Sequence, residues 1–376
     1  MSKIFICDNV YTTFVAIVMK VQMFSEDEVD IILNNRTPDS DSRAERLRKK
    51  NLFRNVYYFN TYDCYNDSRK VGPYCRKTKC MFMGCRKYTN QLVLDYTDIY
   101  TLHAECLTSA IVREINLLGK NVDIHFIEEG YGSYTKAFKD MEFDNLNRWR
   151  LLCESVAQKL LDVKLARSMV KDIYVFEPDL MMWNPQFPVK KIENPDFGRF
   201  PNLKDLINDV FCYNLAAKEY EGKKIIYFED SFYQQSGDNS EPEIVDKLAV
   251  LVGKNNLLIK LHPRTRHNRF EGKYDTASVQ GILWEVIAMN MPNDKKVTLV
   301  TIASGSIIGA SLIFSKKMKS VMLYKCIPER ERLLSPYNLD FLEKYTADYP
   351  EYLVLPESLD EAMVVIANEV DQTQNS

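Results

Sequence analysis

Histidine is scarce in this chain, and long apolar runs are missing altogether. Only 4 histidines occur in 376 residues, so few imidazoles are on hand for proton transfer or metal ligation. No stretch approaches the roughly 18–20 apolar residues that span a bilayer. The start, MSKIFICDNVYTT, is broken by Asp8 and Asn9 before a signal core could form. The phosphate-loop pattern G-x-x-x-x-G-K-S/T is missing, as are an internal repeat and a DxD motif at a strand end. The 9 cysteines are an odd number, and Cys64, Cys75, Cys80 and Cys85 lack the C-x2-C spacing of a zinc pair, so ordinary thiols in a reducing compartment are expected. A net charge of −3 and a pI near 6.0 argue against a general nucleic-acid binder. The expectation is a cytoplasmic protein without a metal centre. Peripheral contact with an anionic membrane or an anionic glycan is left to the basic stretch Arg69–Lys87.

What is present is an alternation of strand-like and helix-like runs. With 46% hydrophobic residues, the chain has material for two ordinary cores, and two domains are expected. KIFIC, VDIILNN, NVYYFN, LVLDYT, VDIHFI and DIYVFEP read as strands. TTFVAIVMKVQMF, the charged Ser42–Arg54 segment, His103–Leu118 and LNRWRLLCESVAQKLLDVKLARSMV read as helices. This rhythm predicts a mostly parallel sheet with crossover helices. The proline-rich stretch PQFPVKKIENPDFGRFP reads as an interdomain connection near 185–205, closing a first domain over 1–195. The pattern then repeats over 206–356: KKIIYFED, NLLIKL, KVTLVTIAS, KSVMLYK and EYLVLP as strands, with IVDKLAVLVGK, ILWEVIAMN and GSIIGASLIF as helices. LDEAMVVIANEV is a terminal helix, and 357–376 is a terminal helix and tail. The predicted class is α/β, two Rossmann-like doubly wound domains facing a central cleft.

In open α/β sheets ligands gather at the C-terminal ends of the strands, so polar residues there are the candidates. Glu128 and Glu129 close VDIHFI and precede Gly130. Neighbours on an extended chain point to opposite sides, so one of the two should face a ligand and act as general base. The Gly130–Tyr131–Gly132–Ser133 run permits close backbone approach. Glu229 and Asp230 repeat the theme after KKIIYF and are rival bases. His262, between Lys260 and Pro263–Arg264, ends NLLIKL; the imidazole can bond a phosphate oxygen, the cations can hold a phosphate, and proline stiffens the loop. Ser304, Gly305 and Ser306 open a helix whose N-terminal N–H groups favour an anion. Glu285 sits on a helix and is a candidate acceptor for ribose hydroxyls.

Together Glu128-Glu129-Gly130, His262-Pro263 and Ser304-Gly305-Ser306 resemble, in order and spacing, the motifs of bacterial sialyltransferases of glycosyltransferase family 52 and of the capsule polysialyltransferases. The resemblance spans the layout of most of the chain but only about a dozen residues in identity. It implies a GT-B fold and inverting, metal-independent transfer of sialic acid from CMP-sialic acid to a hydroxyl of a cell-surface glycan, lipooligosaccharide or capsule. It further implies that the nucleotide sugar binds mainly to the second domain, with phosphate held by His262, Ser304 and Ser306 and ribose by Glu285. The glycan acceptor would enter from the first domain. Family 52 points to Asp230 as the base and the polysialyltransferases to Glu128 or Glu129. A GT-B enzyme using another nucleotide sugar, or a non-catalytic nucleotide- or glycan-binding protein, are the alternatives.

Overall fold

In the computed structural model, all residues are described except 1, 36, 38, 61–85, 105, 145–151, 153–154, 157, 161–164, 231–239, 264, 266, 280, 293–295, 315, 317, 328–333 and 373–376. The chain divides into two compact units, one formed by Met1–Glu129 with Lys136–Val210, the other by Gly130–Thr135 with Phe211–Ser376.

The first unit holds a seven-stranded sheet: β1 (Ser2–Cys7), β2 (Glu28–Asn34), β3 (Val56–Phe59), β4 (Asp98–Thr101), β5 (Asp123–Ile127), β6 (Val170–Val175) and β7 (Val189–Lys191). Its order is β3-β2-β1-β4-β5-β6-β7, and every pairing is parallel. The strands read as apolar runs because a parallel sheet is covered on both faces; every residue of β1 is buried. Helix α1 (Val10–Gln22) is buried from Val10 through Lys20. It begins with a reciprocal cap, Asn9 accepting from the Thr12 amide while Thr12 Oγ1 accepts from the Asn9 amide. Helices α2 (Ser40–Lys50), α3 (Cys106–Leu117) and α4 (Asn202–Val210) complete the main helical cover of this unit. The strand order reverses between β1 and β4, which places the ligand crevice at their C-terminal ends.

The second unit holds β8 (Ile225–Phe228), β9 (Leu257–Lys260), β10 (Thr298–Thr301), β11 (Ser320–Met322) and β12 (Leu353–Val354) in the order β12-β11-β10-β8-β9, again all parallel. Helices α5 (Ser240–Val252), α6 (Trp284–Asn290), α7 (Ser306–Phe314), α8 (Pro336–Asp348) and α9 (Leu359–Gln372) alternate with or follow these strands. The reversal falls between β8 and β10. Among the described residues no helix is long and apolar enough to cross a membrane.

Several readings of the sequence need correction. LVLDYT is not a strand; β4 begins after it, at Asp98. Polar anchoring explains this: Asp95 accepts from Ser2 and Arg54, Tyr96 donates to Asp30, and Leu94 takes a left-handed φ of 55°. The stretch read as a connection contains β7, an edge strand admitted after Pro188. Helices α4 and α8 were unforeseen, although Ser335 before Pro336 is a readable start, its hydroxyl accepting from the Asn338 amide. Of the helix read over 146–170, more than half lies outside the described residues, and its end is instead a 3-10 turn at Ala166–Met169 running into β6 at Val170. The cysteine group Cys64–Cys85 and all of the basic stretch before Arg86 also lie outside the described residues, while Arg86 and Lys87 are exposed.

The N-terminal edge of the first sheet is fastened by one guanidinium. Asp30, fully buried in β2, accepts from Arg54 Nε at 2.9 Å, from the Asn55 amide at 3.0 Å and from the Tyr96 hydroxyl at 2.7 Å. Arg54 also reaches Asp95 at 3.0 Å. Breaking such a pair from one side strands a buried charge, so Arg54→Met should lower unfolding free energy by about 3–5 kcal/mol in denaturant titration. A loss below about 1 kcal/mol, the level of a surface pair, would refute the role.

Candidate active site

At the C-terminal edge of the first sheet the two glutamates part company. Glu128 is fully buried; its Oε1 accepts from the Tyr11 hydroxyl at 2.6 Å and its Oε2 from the Phe176 amide at 2.8 Å. Those bonds tie the end of β5 to α1 and to the residue after β6, a structural task. Glu129, one residue on, points the other way and its side chain is 44% exposed. Asn9, which caps α1, also donates Nδ2 to Glu129 Oε1 at 3.1 Å.

Beside Glu129 stands a residue that the sequence reading left within a helix. His103 follows β4, with Nε2 3.8 Å from Glu129 Oε2 and Nδ1 3.0 Å from Glu142 Oε1. Glu142 is buried and also accepts from the Ala104 amide at 3.3 Å. The His103 carbonyl accepts from the Thr101 and Thr108 hydroxyls at 3.1 and 3.2 Å, and its ring stacks on Phe138 at 5.8 Å. An imidazole between a buried and an exposed carboxylate can hold the exposed one in place and exchange a proton with it. The signal was available: with β4 set at DIYT, His103 falls just past the strand end, beside the switch point.

In the second unit, Asp230 lies two residues past the end of β8 and is buried. Its Oδ2 accepts from the Ala303 amide at 2.8 Å and the Thr301 hydroxyl at 3.1 Å. Burial raises its pKa to about 7, against the pull of the Ala303 bond and with a further push from the Glu241 charge. Glu229 faces the other way: it accepts from the His262 amide at 3.0 Å and from Arg269 at 3.2 Å, and so fixes the loop after β9. His262 and Pro263 are half-buried on that loop, and Arg264 lies outside the described residues.

Two further expectations change on inspection. Lys260 is buried, donates to the Ile282 carbonyl at 2.7 Å and has its pKa drawn down to about 8 by burial, so it is not a cation held out to a phosphate. Glu285 is also buried rather than displayed for a ribose. It packs so tightly on Gly309 that a Cβ there would overlap its carboxylate.

The serine motif stands at the start of α7: Ser304 and Gly305 are half-buried, Ser306 is exposed, and the two hydroxyls lie 3.3 Å apart. Tyr131, from the glycine-flanked run after Glu129, lays its ring where a Cβ of residue 305 would be, which is why glycine is needed there. That ring also packs on Phe341 at 5.5 Å. Burial, with the Asp230 charge, raises the Tyr131 hydroxyl to about 12. Among the described residues no group of three or more His, Cys, Asp and Glu side chains is placed to hold a metal ion.

No protein-family model matches the chain, and no curated protein matches it either. Solved structures do. One is a protein from Listeria monocytogenes provisionally named a UDP-N-acetylglucosamine 2-epimerase, with a TM-score of 0.55 and 6% identity over 100% of this chain and 89% of that one. Another is UGT89C1 of Arabidopsis thaliana complexed with UDP, with a TM-score of 0.50 and 9% identity over 98% of this chain and 90% of that one. The chain has the GT-B fold. At such identities the likeness is one of architecture, and the GT-B assignment agrees with two doubly wound parallel sheets.

The Asp230 environment predicts a pH-dependent stability. Its folded pKa of about 7 lies above the ordinary value of 3.8, so folding favours the protonated form. The stability this confers is fully present below the ordinary value and lost as pH rises through about 7. Asp230→Asn keeps an oxygen for Ala303 and Thr301 but cannot ionise. Its melting temperature relative to wild type should rise between pH 5 and pH 8; a difference that stays flat or falls over that range would contradict the assignment.

Proposed function

We propose that this chain is an inverting glycosyltransferase that draws its sugar from a nucleotide donor, with Glu129 as the general base. The observation that carries this reading is the exposed Glu129 carboxylate at a strand end beside the switch point, held by Asn9 and backed by the His103–Glu142 pair. The GT-B fold supports it, since the similar Arabidopsis structure is complexed with UDP and the Listeria protein is named for a UDP-sugar.

In the proposed reaction Glu129 takes the proton of the acceptor hydroxyl as its oxygen attacks the anomeric carbon. The bond from that carbon to the nucleotide phosphate breaks, and the phosphate leaves with the electron pair. The sugar passes through an oxocarbenium-like transition state and its configuration inverts. Charge gathering on the leaving phosphate is met by the amides at the start of α7, the Ser304 and Ser306 hydroxyls and His262. Glu128 takes no part in proton transfer, because both of its oxygens are bonded in the interior. Asp230 is the second candidate base on the strength of its pKa near 7.

For the donor, the His262-Pro263 and Ser304-Gly305-Ser306 motifs favour CMP-sialic acid, with a lipooligosaccharide or capsule glycan as acceptor. The UDP complex of the similar plant protein favours a UDP-sugar as the second reading. Thermal shifts with CMP, UDP and GDP, followed by nucleotide release from the matching sugar donors in EDTA with a galactoside and sialoside panel, separate these readings. A CMP response with acceptor-dependent CMP release supports the first; a UDP response alone replaces it with the second.

Two substitutions test the base. Glu129→Gln should lower kcat by about 10²–10⁴-fold with nucleotide binding and melting temperature unchanged. Glu128→Gln should instead lower the melting temperature. Full activity in Glu129→Gln with a collapse in Asp230→Asn would move the base to the second unit.

A further inference from the structure

Shortly before Glu128 and Glu129, β5 carries an imidazole that the candidate site does not use. His125 is buried, and each ring nitrogen meets a carboxylate. Nδ1 lies 2.6 Å from Asp172 Oδ1 of β6, and Nε2 lies 3.0 Å from Asp98 Oδ1 of β4. The ring stacks on Tyr100 at 4.6 Å and meets the edge of Tyr174 at 6.1 Å, which fixes its plane. The sheet register is shifted to make this contact. β5 and β6 pair Ile124 with Val170 but His125 with Asp172, so Lys171 is an extra residue in β6. An unshifted register would set the Lys171 cation opposite His125. Instead Lys171 pairs with Asp123 of β5 at 3.6 Å, and Asp172 takes its place.

The two carboxylates are themselves held by cations. Asp172 Oδ2 lies 2.6 Å from Lys190 Nζ of β7, which also donates to the Tyr174 hydroxyl at 3.2 Å. Asp98 accepts from the Thr97 hydroxyl at 2.5 Å, and Lys3 of β1 lies 3.7 Å from Asp98 and 3.4 Å from Asp27. Burial pushes the Asp98 pKa up, but bonds from His125 and Thr97 and the Lys3 charge hold it down to about 2. Burial is likewise outweighed at Asp172, where bonds from His125 and Lys190 keep the carboxyl below its usual range. Burial also opposes charge on His125, yet the bonds and charges of Asp172 and Asp98 raise its pKa. Tyr100 stays neutral, its hydroxyl pushed well above the usual phenol range by burial, Tyr174 and the two acids. Only an imidazolium can donate to both carboxylates at once; a neutral ring would set a lone pair against one of them. With the proton in place, three cations (Lys3, His125 and Lys190) balance three carboxylates (Asp27, Asp98 and Asp172). We propose that His125 is a pH-sensitive clamp: as an imidazolium it joins β4, β5 and β6, and loss of its proton loosens β5 and the acids at its end. The clamp does not depend on the reaction that Glu129 performs.

The sign of the effect follows from the raised pKa. The stability is fully present below the ordinary value of 6.5 and is lost as pH rises through the folded-state value. Nitrogen-15 NMR of the intact, histidine-labelled protein reads the proton directly. At pH 7.5 an ordinary imidazole is about one-tenth protonated; His125 should show a severalfold larger fraction with both ring nitrogens protonated. His125→Gln identifies those resonances by their loss. It should melt below wild type at pH 6, and the gap should shrink toward pH 9. That comparison cancels the titration of Asp230, which lies in the other unit. At pH 6 the variant's β4–β6 amides should exchange about tenfold faster than in wild type, while those of β8–β10 keep their rates. If this variant does not fold, Lys190→Met, at an exposed edge position, removes a cation facing Asp172. It should move the His125 titration to higher pH, and the resonance that moves is thereby assigned. An ordinary protonated fraction at pH 7.5, a melting gap that stays flat or widens with pH, or a His125 titration that Lys190→Met leaves in place or lowers would overturn the proposal.

Discussion

The buried carboxylate of Glu128 is the constraint on which the first unit's site depends. A polar group placed inside is tolerated only when its atoms are bonded, and here a tyrosine hydroxyl from α1 and an amide past β6 do so. That fixes the end of β5 against two neighbouring elements. Because side chains alternate along an extended chain, it also turns Glu129 outward toward Asn9 and His103. One glutamate is spent on the fold so that the next can be presented.

The second unit uses the same device with different chemistry. Glu229 secures the loop that carries His262, while Asp230, facing the other way, is held by the Thr301 hydroxyl at the end of β10 and the Ala303 amide just past it. Adjacent acids at a strand end thus divide into a scaffold residue and a residue with a distinct electrostatic state. In the first unit the distinct member is exposed; in the second it is buried with its pKa raised to about 7. Carboxylates that look equivalent along the chain can therefore serve unlike purposes.

Much of the architecture was legible because parallel strands covered on both faces must be apolar throughout. KIFIC, VDIILNN, VDIHFI, KKIIYF and NLLIKL could be read directly as β1, β2, β5, β8 and β9. The misplacement of β4 had a local cause, since LVLDYT has strand composition but its polar members bind Arg54 and Asp30 at the sheet edge. That error carried a cost for the site: with the strand set too early, His103 was absorbed into a helix instead of standing at a strand end. Lys260 and Glu285 were misread for a related reason, because a charged residue in a sequence carries no mark of whether it is buried.

The sequence alone determined the α/β class, the two repeats of the pattern and the location of acids, an imidazole and a serine motif at strand ends. These follow from hydrophobic periodicity and turn chemistry, which act over a few residues. Only the tertiary structure decided which glutamate of the pair is exposed, that His103 and Glu142 join it, that Tyr131 fills the space above Gly305, and that His125 stands between Asp98 and Asp172. Those facts depend on contacts between residues as far apart as Asn9 and Glu129. Such contacts are set by strand order and packing, which no local pattern encodes.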